Sequence, residues 1–72
     1  MLILSQSTTI GDKTITARLY RRAEDYAYYL MVNGVVRIAL SVTADSDGTA
    51  AAKFDLLYEG HLRRFREEVA IR

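Results

Sequence analysis

From Tyr26 to Thr43 the chain is largely apolar, broken by Asn33-Gly34, the single charge of Arg37 and Ser41. Asn-Gly accepts the two positive φ values of a type I′ turn, so Tyr26–Val32 and Val35–Thr43 read as two strands of a tight hairpin. Upstream, Lys13 to Arg21 alternates, with Ile15, Ala17 and Leu19 on one side and Thr14, Thr16, Arg18 and Tyr20 on the other. Leu2 to Ile10 is a weaker strand, because Ser5 to Thr9 is polar. Gly11-Asp12 between them suits a type II′ turn. Arg22-Ala23-Glu24-Asp25 is a polar break, and Ala44 to Thr49 is loop and helix start. Asp45, Ser46, Asp47 and Thr49 are all acceptable N-caps. From about Ala50 to Glu68 the period becomes helical: Phe54, Leu57, Tyr58, His61, Leu62, Phe65 and Val69 recur at spacings of three and four. Gly60 inside this stretch costs about 1 kcal/mol relative to Ala. The predicted fold is α+β, a single domain over residues 1–72. It is a four-stranded antiparallel β-meander with one C-terminal helix packed on one sheet face (β-β-β-β-α).

The tight turn sets a register. It pairs Val32 with Val35, Leu30 with Arg37, Tyr28 with Ala39, and Tyr26 with Ser41. The intervening pairs are Met31–Val36, Tyr29–Ile38 and Ala27–Leu40. This second set, extended by Val42, is apolar apart from one phenol and is expected to face the helix. Ile15, Ala17 and Leu19 join it if the connection between the second and third strands has an odd number of residues. With Gly11-Asp12 as a two-residue turn, Leu4 lies opposite Leu19 on the same side. The expected core is Leu4, Ile15, Ala17, Leu19, Tyr29, Met31, Val36, Ile38, Leu40 and Val42, with Phe54, Leu57, Tyr58, Leu62 and Phe65 from the helix.

One helix covers one face. The other is expected to show Thr14, Thr16, Arg18, Tyr20, Tyr26, Tyr28, Leu30, Val32, Val35 and Arg37. Such a Tyr/Arg/aliphatic patch marks an interface, since Tyr and Arg dominate interface hot spots. High β-propensity of Tyr, Val and Thr is the plain structural account of the same residues. The candidate partner-binding residues are Arg18, Tyr20, Tyr26, Tyr28, Leu30 and Arg37 on the sheet. Arg63, Arg64 and Arg66 near the helix end are a second group. There, basic residues also complement the helix dipole, and Glu59–Arg63 and Arg63–Glu67 are i,i+4 pairs.

Composition narrows the partners. Ten basic and nine acidic residues give a net charge of +1, neither nucleic-acid-coating nor strongly acidic. Eight of the basic residues are Arg, which suits planar and stacked contacts, and only Lys13 and Lys53 are lysines. A Tyr/Arg sheet face is also a way to hold single-stranded nucleic acid. The aromatic-glycine pattern and β-α-β-β-α-β order of an RRM are absent, and the charge supplies little of the usual driving force. A domain of 72 residues has a small core and, without cysteine, no covalent staple. Oligomerisation as a homodimer would bury more apolar surface. Zero Cys rules out disulfides and thiolate zinc sites and accords with a reducing cytoplasm. Met1-Leu2-Ile3-Leu4 is too short for a signal peptide or a membrane span, so a soluble, non-exported protein is expected.

Candidate chemistry is sparse. His61 is the only histidine and has no partners at metal-ligand spacing. It also lacks a nucleophile and an orienting acid. Asp45-Ser46-Asp47-Gly48 lacks the ligand series of a calcium loop and reads as a cap. There is no phosphate loop, nucleophile elbow or dinucleotide fingerprint. No cofactor and no metal is expected, and catalysis is not. The β-meander-plus-helix plan is similar to that of small accessory and phage- or plasmid-encoded proteins, and inhibitors of host defence such as anti-CRISPR proteins are similar in size and compactness. That likeness is one of size and fold, which carries little about function. The functional expectation is a non-enzymatic protein acting by protein–protein contact as a regulator or inhibitor. A nucleic-acid-binding module using the Tyr/Arg face and the basic helix end is the alternative.

Overall fold

The computed structural model describes residues 1–71. Four strands, β1 (Leu2–Ile10), β2 (Lys13–Arg21), β3 (Tyr26–Val32) and β4 (Val35–Val42), are followed by one helix, α1 (Asp47–Ile71). The sheet is an antiparallel meander in the order β1-β2-β3-β4, with α1 packed on one face. Both tight turns have the backbone their residues suit. Gly11 has φ 61° and Asp12 stays at negative φ, as in type II′, while Asn33 (φ 51°) and Gly34 (φ 83°) are both positive, as in type I′. Asn33 also ties its turn to β2: its N–H donates to Thr14 O and its Oδ1 accepts from Thr14 N–H, both at 2.9 Å.

The helix begins three residues before the expected Ala50, because Ser46 is the cap. Ser46 Oγ accepts the Thr49 N–H at 3.1 Å and Ser46 O accepts the Ala50 N–H at 3.0 Å. These bonds satisfy backbone donors that the first turn otherwise leaves free. Asp47 then sits in the first turn and pairs with Arg21 at 3.1 Å.

The faces of β3 differ from expectation. Tyr26, Tyr28, Leu30 and Val32 are buried against the helix, and Tyr29, Met31 and Val36 lie on the uncovered face. Two features produce this. The β2–β3 connection is even: Arg21 pairs with Tyr26, so Arg22 to Asp25 form a four-residue loop. That loop is closed by Arg22 N–H to Asp25 O at 2.9 Å and by two Arg22–Asp25 side-chain bonds of 2.7 Å. Leu19, Ala17 and Ile15 therefore stand opposite Tyr28, Leu30 and Val32, on one face. The second feature is a β-bulge. Met31 pairs with Val36 but Leu30 pairs with Ile38, so Arg37 is the extra residue. A bulge shifts everything beyond it by one position. Ile38, Leu40 and Val42 consequently stay on the helix side, opposite Leu30, Tyr28 and Tyr26.

The core is thus Ile15, Ala17 and Leu19 with Tyr28, Leu30 and Val32, closed by Ala50, Phe54, Tyr58 and Leu62 at successive i,i+4 positions. Leu4, Ile38, Leu57 and Phe65 pack against it only partly buried. The tyrosines enter because their hydroxyls are satisfied. Tyr26 Oη donates to Asp47 Oδ1 at 2.6 Å, and Tyr58 Oη reaches Thr8 Oγ1 (2.9 Å) and Ile15 O (3.1 Å). Tyr28 Oη meets His61 Nδ1 at 2.9 Å. No buried side-chain polar atom lacks a partner among the described residues.

Candidate interaction surface

The uncovered face is a grid fixed by the pairing. One row runs Ser7, Thr16, Met31, Val36; the next runs Ser5, Arg18, Tyr29, Ala39; a third places Tyr20 beside Ala27 and Ser41. The β1 side of this grid is hydroxyl-rich, and Ser7 Oγ and Thr16 Oγ1 bond to each other at 2.8 Å. The β2–β4 side is apolar and aromatic. There, Tyr20 and Tyr29 meet edge to face, ring centroids 5.7 Å apart and planes at 74°. With Met31, Val36 and Arg18 they rim a shallow recess of about 380 Å³ floored by Ala27. Val36 is 53% exposed, a large aliphatic left in solvent at the edge of the patch.

Two arginines flank the recess differently. Arg22 is clamped by Asp25, whose hydrogen bond holds the guanidinium pKa above its usual value, and it also donates to Ser41 Oγ at 3.1 Å. Arg18 has no ion-pair partner among the described residues and stands beside Tyr29 across the β2–β3 pair. The arrangement offers rigid aromatic edges, a flexible thioether, an aliphatic rim and one free cation.

Of the candidate partner-binding residues on the sheet, the structure brings Arg18 and Tyr20 to this surface, with Thr16 beside them in the grid. Tyr26, Tyr28 and Leu30 are a correction: they are core residues, 6%, 0% and 0% exposed. Arg37 is exposed at the bulge and lines a different recess with Lys13, Asn33 and Phe65. Arg63, Arg64 and Arg66 are exposed on α1, away from the sheet grid. Tyr29, Met31 and Val36 were expected inside. The signal that places them outside is the four-residue length of the Arg22–Asp25 break.

The one cluster of perturbed groups lies under the helix. Burial pushes the Tyr28 phenol up to about 12, so it keeps its proton and can donate to His61. Burial, with Arg64 nearby, lowers the His61 pKa, which favours the neutral ring. The two rings stack at 5.6 Å, and Tyr28 also contacts Phe54 edge to face at 5.6 Å. This is a neutral, internally satisfied pair with no nucleophile beside it. Among the described residues no group of three or more His, Cys, Asp or Glu side chains is placed to hold a metal. No described helix is long and apolar enough to cross a membrane. No family model, curated protein or solved structure matches the chain.

Proposed function

We propose that this chain is a non-enzymatic binding protein that works by protein–protein contact, with the open sheet face as its contact surface. The observation that carries this is the Tyr20–Tyr29–Met31–Val36 cluster on the face that α1 does not cover. Aromatic and aliphatic side chains gathered in one patch on a face that no other element covers mark an interaction site. Tyr, Met and Arg are also types enriched where interfaces are made. A regulator or inhibitor acts in this way, by covering a partner's surface. The same patch is apolar enough at its centre for two copies to meet face to face as a homodimer. A cytoplasmic location is part of this proposal, and the cysteine-free composition accords with a reducing compartment.

The test is the double variant Arg18→Ala/Tyr29→Ala. Both residues lie on the open face, so the fold is expected to survive, as checked by circular dichroism. Partner capture from the source cell, and any dimer seen by light scattering, are expected to be lost. Undiminished capture and an unchanged oligomeric state would overturn the assignment. Single-stranded nucleic acid is the competing occupant, since Arg18 stands beside two tyrosine rings. Against it, Arg22 is neutralised by Asp25, leaving one free cation on the face. A gel shift at low ionic strength with oligo-dT, abolished by salt, would favour that occupant instead.

A further inference from the structure

The helix packs on β1, β2 and β3 and leaves the helix side of β4 largely uncovered. Leu40 on β4 is 41% exposed and Leu56 on α1 is 76% exposed. Between them lies a recess of about 410 Å³, walled by Leu40, Val42 and Thr43 on one side and Lys53, Leu56 and Leu57 on the other. A second recess of about 230 Å³ continues it past Gly60 to His61 and Arg64. The two share Leu56 and Leu57, and together they make one trough along α1, bordered by β4 at its Lys53 end. At Gly60 a Cβ would meet nothing within 4 Å, so the trough is open there.

β4 is also an outer strand, with β3 as its only neighbour. Alternate residues of an edge strand direct their N–H and C=O groups outward, ready to pair with another strand. Arg37 and its bulge interrupt this edge near the hairpin tip, which leaves Ile38 to Val42 as the regular stretch. Cations mark both ends of the trough. The Lys53 ammonium hydrogen-bonds to Thr43 O at one end, Arg64 stands at the other, and Arg37 and Lys13 line the recess by the tip. No Asp or Glu lines any of these recesses among the described residues.

The geometry points to an extended peptide as the occupant, apolar in its middle and acidic at both ends, added to β4 as a fifth strand. The distances agree with that shape. Lys53 and Arg64 are separated by roughly 16 Å along the helix at 1.5 Å per residue. That is about five residues of extended strand, the length of Ile38–Val42. Backbone pairing to the edge supplies affinity and the apolar trough selects the side chains on the helix side. Charge separates this occupant from a second copy of the chain. A two-fold pairing of β4 edges presents the same patch on both partners, so the cations Arg37, Lys53 and Arg64 of one copy would face those of the other. This surface lies on the opposite side of the sheet from Arg18 and Tyr29, and its occupancy does not depend on theirs.

The probe is a fluorescein-labelled nine-residue peptide of five alternating valines and threonines with two glutamates at each end. Its counterpart carries lysines at the ends. Fluorescence anisotropy with the full chain is expected to show the glutamate peptide binding about tenfold or more tightly than the lysine peptide. The variant Lys53→Glu/Arg64→Glu is expected to reverse that preference. N-methylation of alternate peptide amides is expected to abolish binding in one phase and leave it in the other, as strand pairing requires. Amide chemical-shift changes are expected along Ile38–Val42. Equal binding of the two peptides, equal tolerance of both N-methylated phases, or shifts at Tyr29 and Met31 instead would overturn the proposal. Shifts along Ile38–Val42 that depend on protein concentration without peptide would assign the edge to a second copy and overturn it equally. The peptide arms use the unmodified protein, so they decide the matter even if the double variant fails to fold.

Discussion

Replacing Tyr28 with alanine separates a core tyrosine from an interface tyrosine. Its side chain is fully buried, packed edge to face on Phe54 and stacked on His61, with its hydroxyl bonded to His61 Nδ1 at 2.9 Å. Truncating a buried aromatic residue to Ala costs about 3–5 kcal/mol. Burial of roughly 150–250 Å² of aromatic surface at about 25 cal/mol per Å² gives a similar upper figure. A domain of this length has a total stability of roughly 4–11 kcal/mol at about 0.05–0.15 kcal/mol per residue. Tyr28→Ala therefore removes a large part of it. In a thermal melt, where each kcal/mol shifts Tm by about 4–8 °C in a domain of this size, the loss is at least about 12 °C. Tyr28→Phe keeps the packing and deletes only the hydroxyl. It is expected to cost about 1 kcal/mol, the usual net worth of one such bond. Urea unfolding followed by circular dichroism measures both. A Tyr28→Ala variant within about 1 kcal/mol of wild type would refute the burial and return Tyr28 to the open face.

Other perturbations test the remaining parts of the fold. Deleting Arg37, the extra residue, joins Val36 to Ile38 in an unbulged ladder and leaves Ile38, Leu40 and Val42 opposite Leu30, Tyr28 and Tyr26 on the helix side, so a change within about 1 kcal/mol is expected. A loss on urea unfolding of more than about 2 kcal/mol, the scale of turning those three side chains outward, would sink the bulge argument. Ser46→Ala is expected to cost about 1 kcal/mol through the lost cap, whereas Asp45→Ala should not; the reverse order would assign the cap to Asp45. Because burial lowers the His61 pKa, the unfolded chain takes up this proton more readily than the folded one. The His61 contribution is therefore full above the unfolded value of about 6.5 and is lost as pH falls from there through the lower folded value. The urea midpoint of wild type should drop across that window more than that of His61→Gln, and parallel profiles would refute the half-buried neutral ring.

The elements were legible because their signals are local. Asn33-Gly34 and Gly11-Asp12 demand positive φ that few other residues accept, and the shift from a period of two to a period near 3.6 marks α1. The parity of β2 was legible too, since Ile15, Ala17 and Leu19 alternate with polar residues, and with it came Arg18 and Tyr20 as open-face residues. β3 carries no such contrast. Both of its faces are apolar or aromatic, so composition favours neither, and counting Tyr as a surface residue tips the choice the wrong way. Here the side of burial is set by partners distant in sequence: His61 for Tyr28 and Asp47 for Tyr26.

The decisive clue lay in two counts taken together. Four residues from Arg22 to Asp25 pair Arg21 with Tyr26, which puts Tyr28 and Leu30 on the same face as Leu19 and Ala17. An unbulged hairpin would then set Arg37 opposite Leu30, on the helix side, and turn Ile38, Leu40 and Val42 outward. An unpaired guanidinium there and three displaced aliphatics together cost more than one interrupted ladder position. The bulge at Arg37 removes both conflicts at once. The same residue therefore determines the surfaces on either side of the sheet. It lets Tyr29, Met31 and Val36 gather on the open face while Ile38, Leu40 and Val42 line the helix side, and it ends the regular edge that a fifth strand could use.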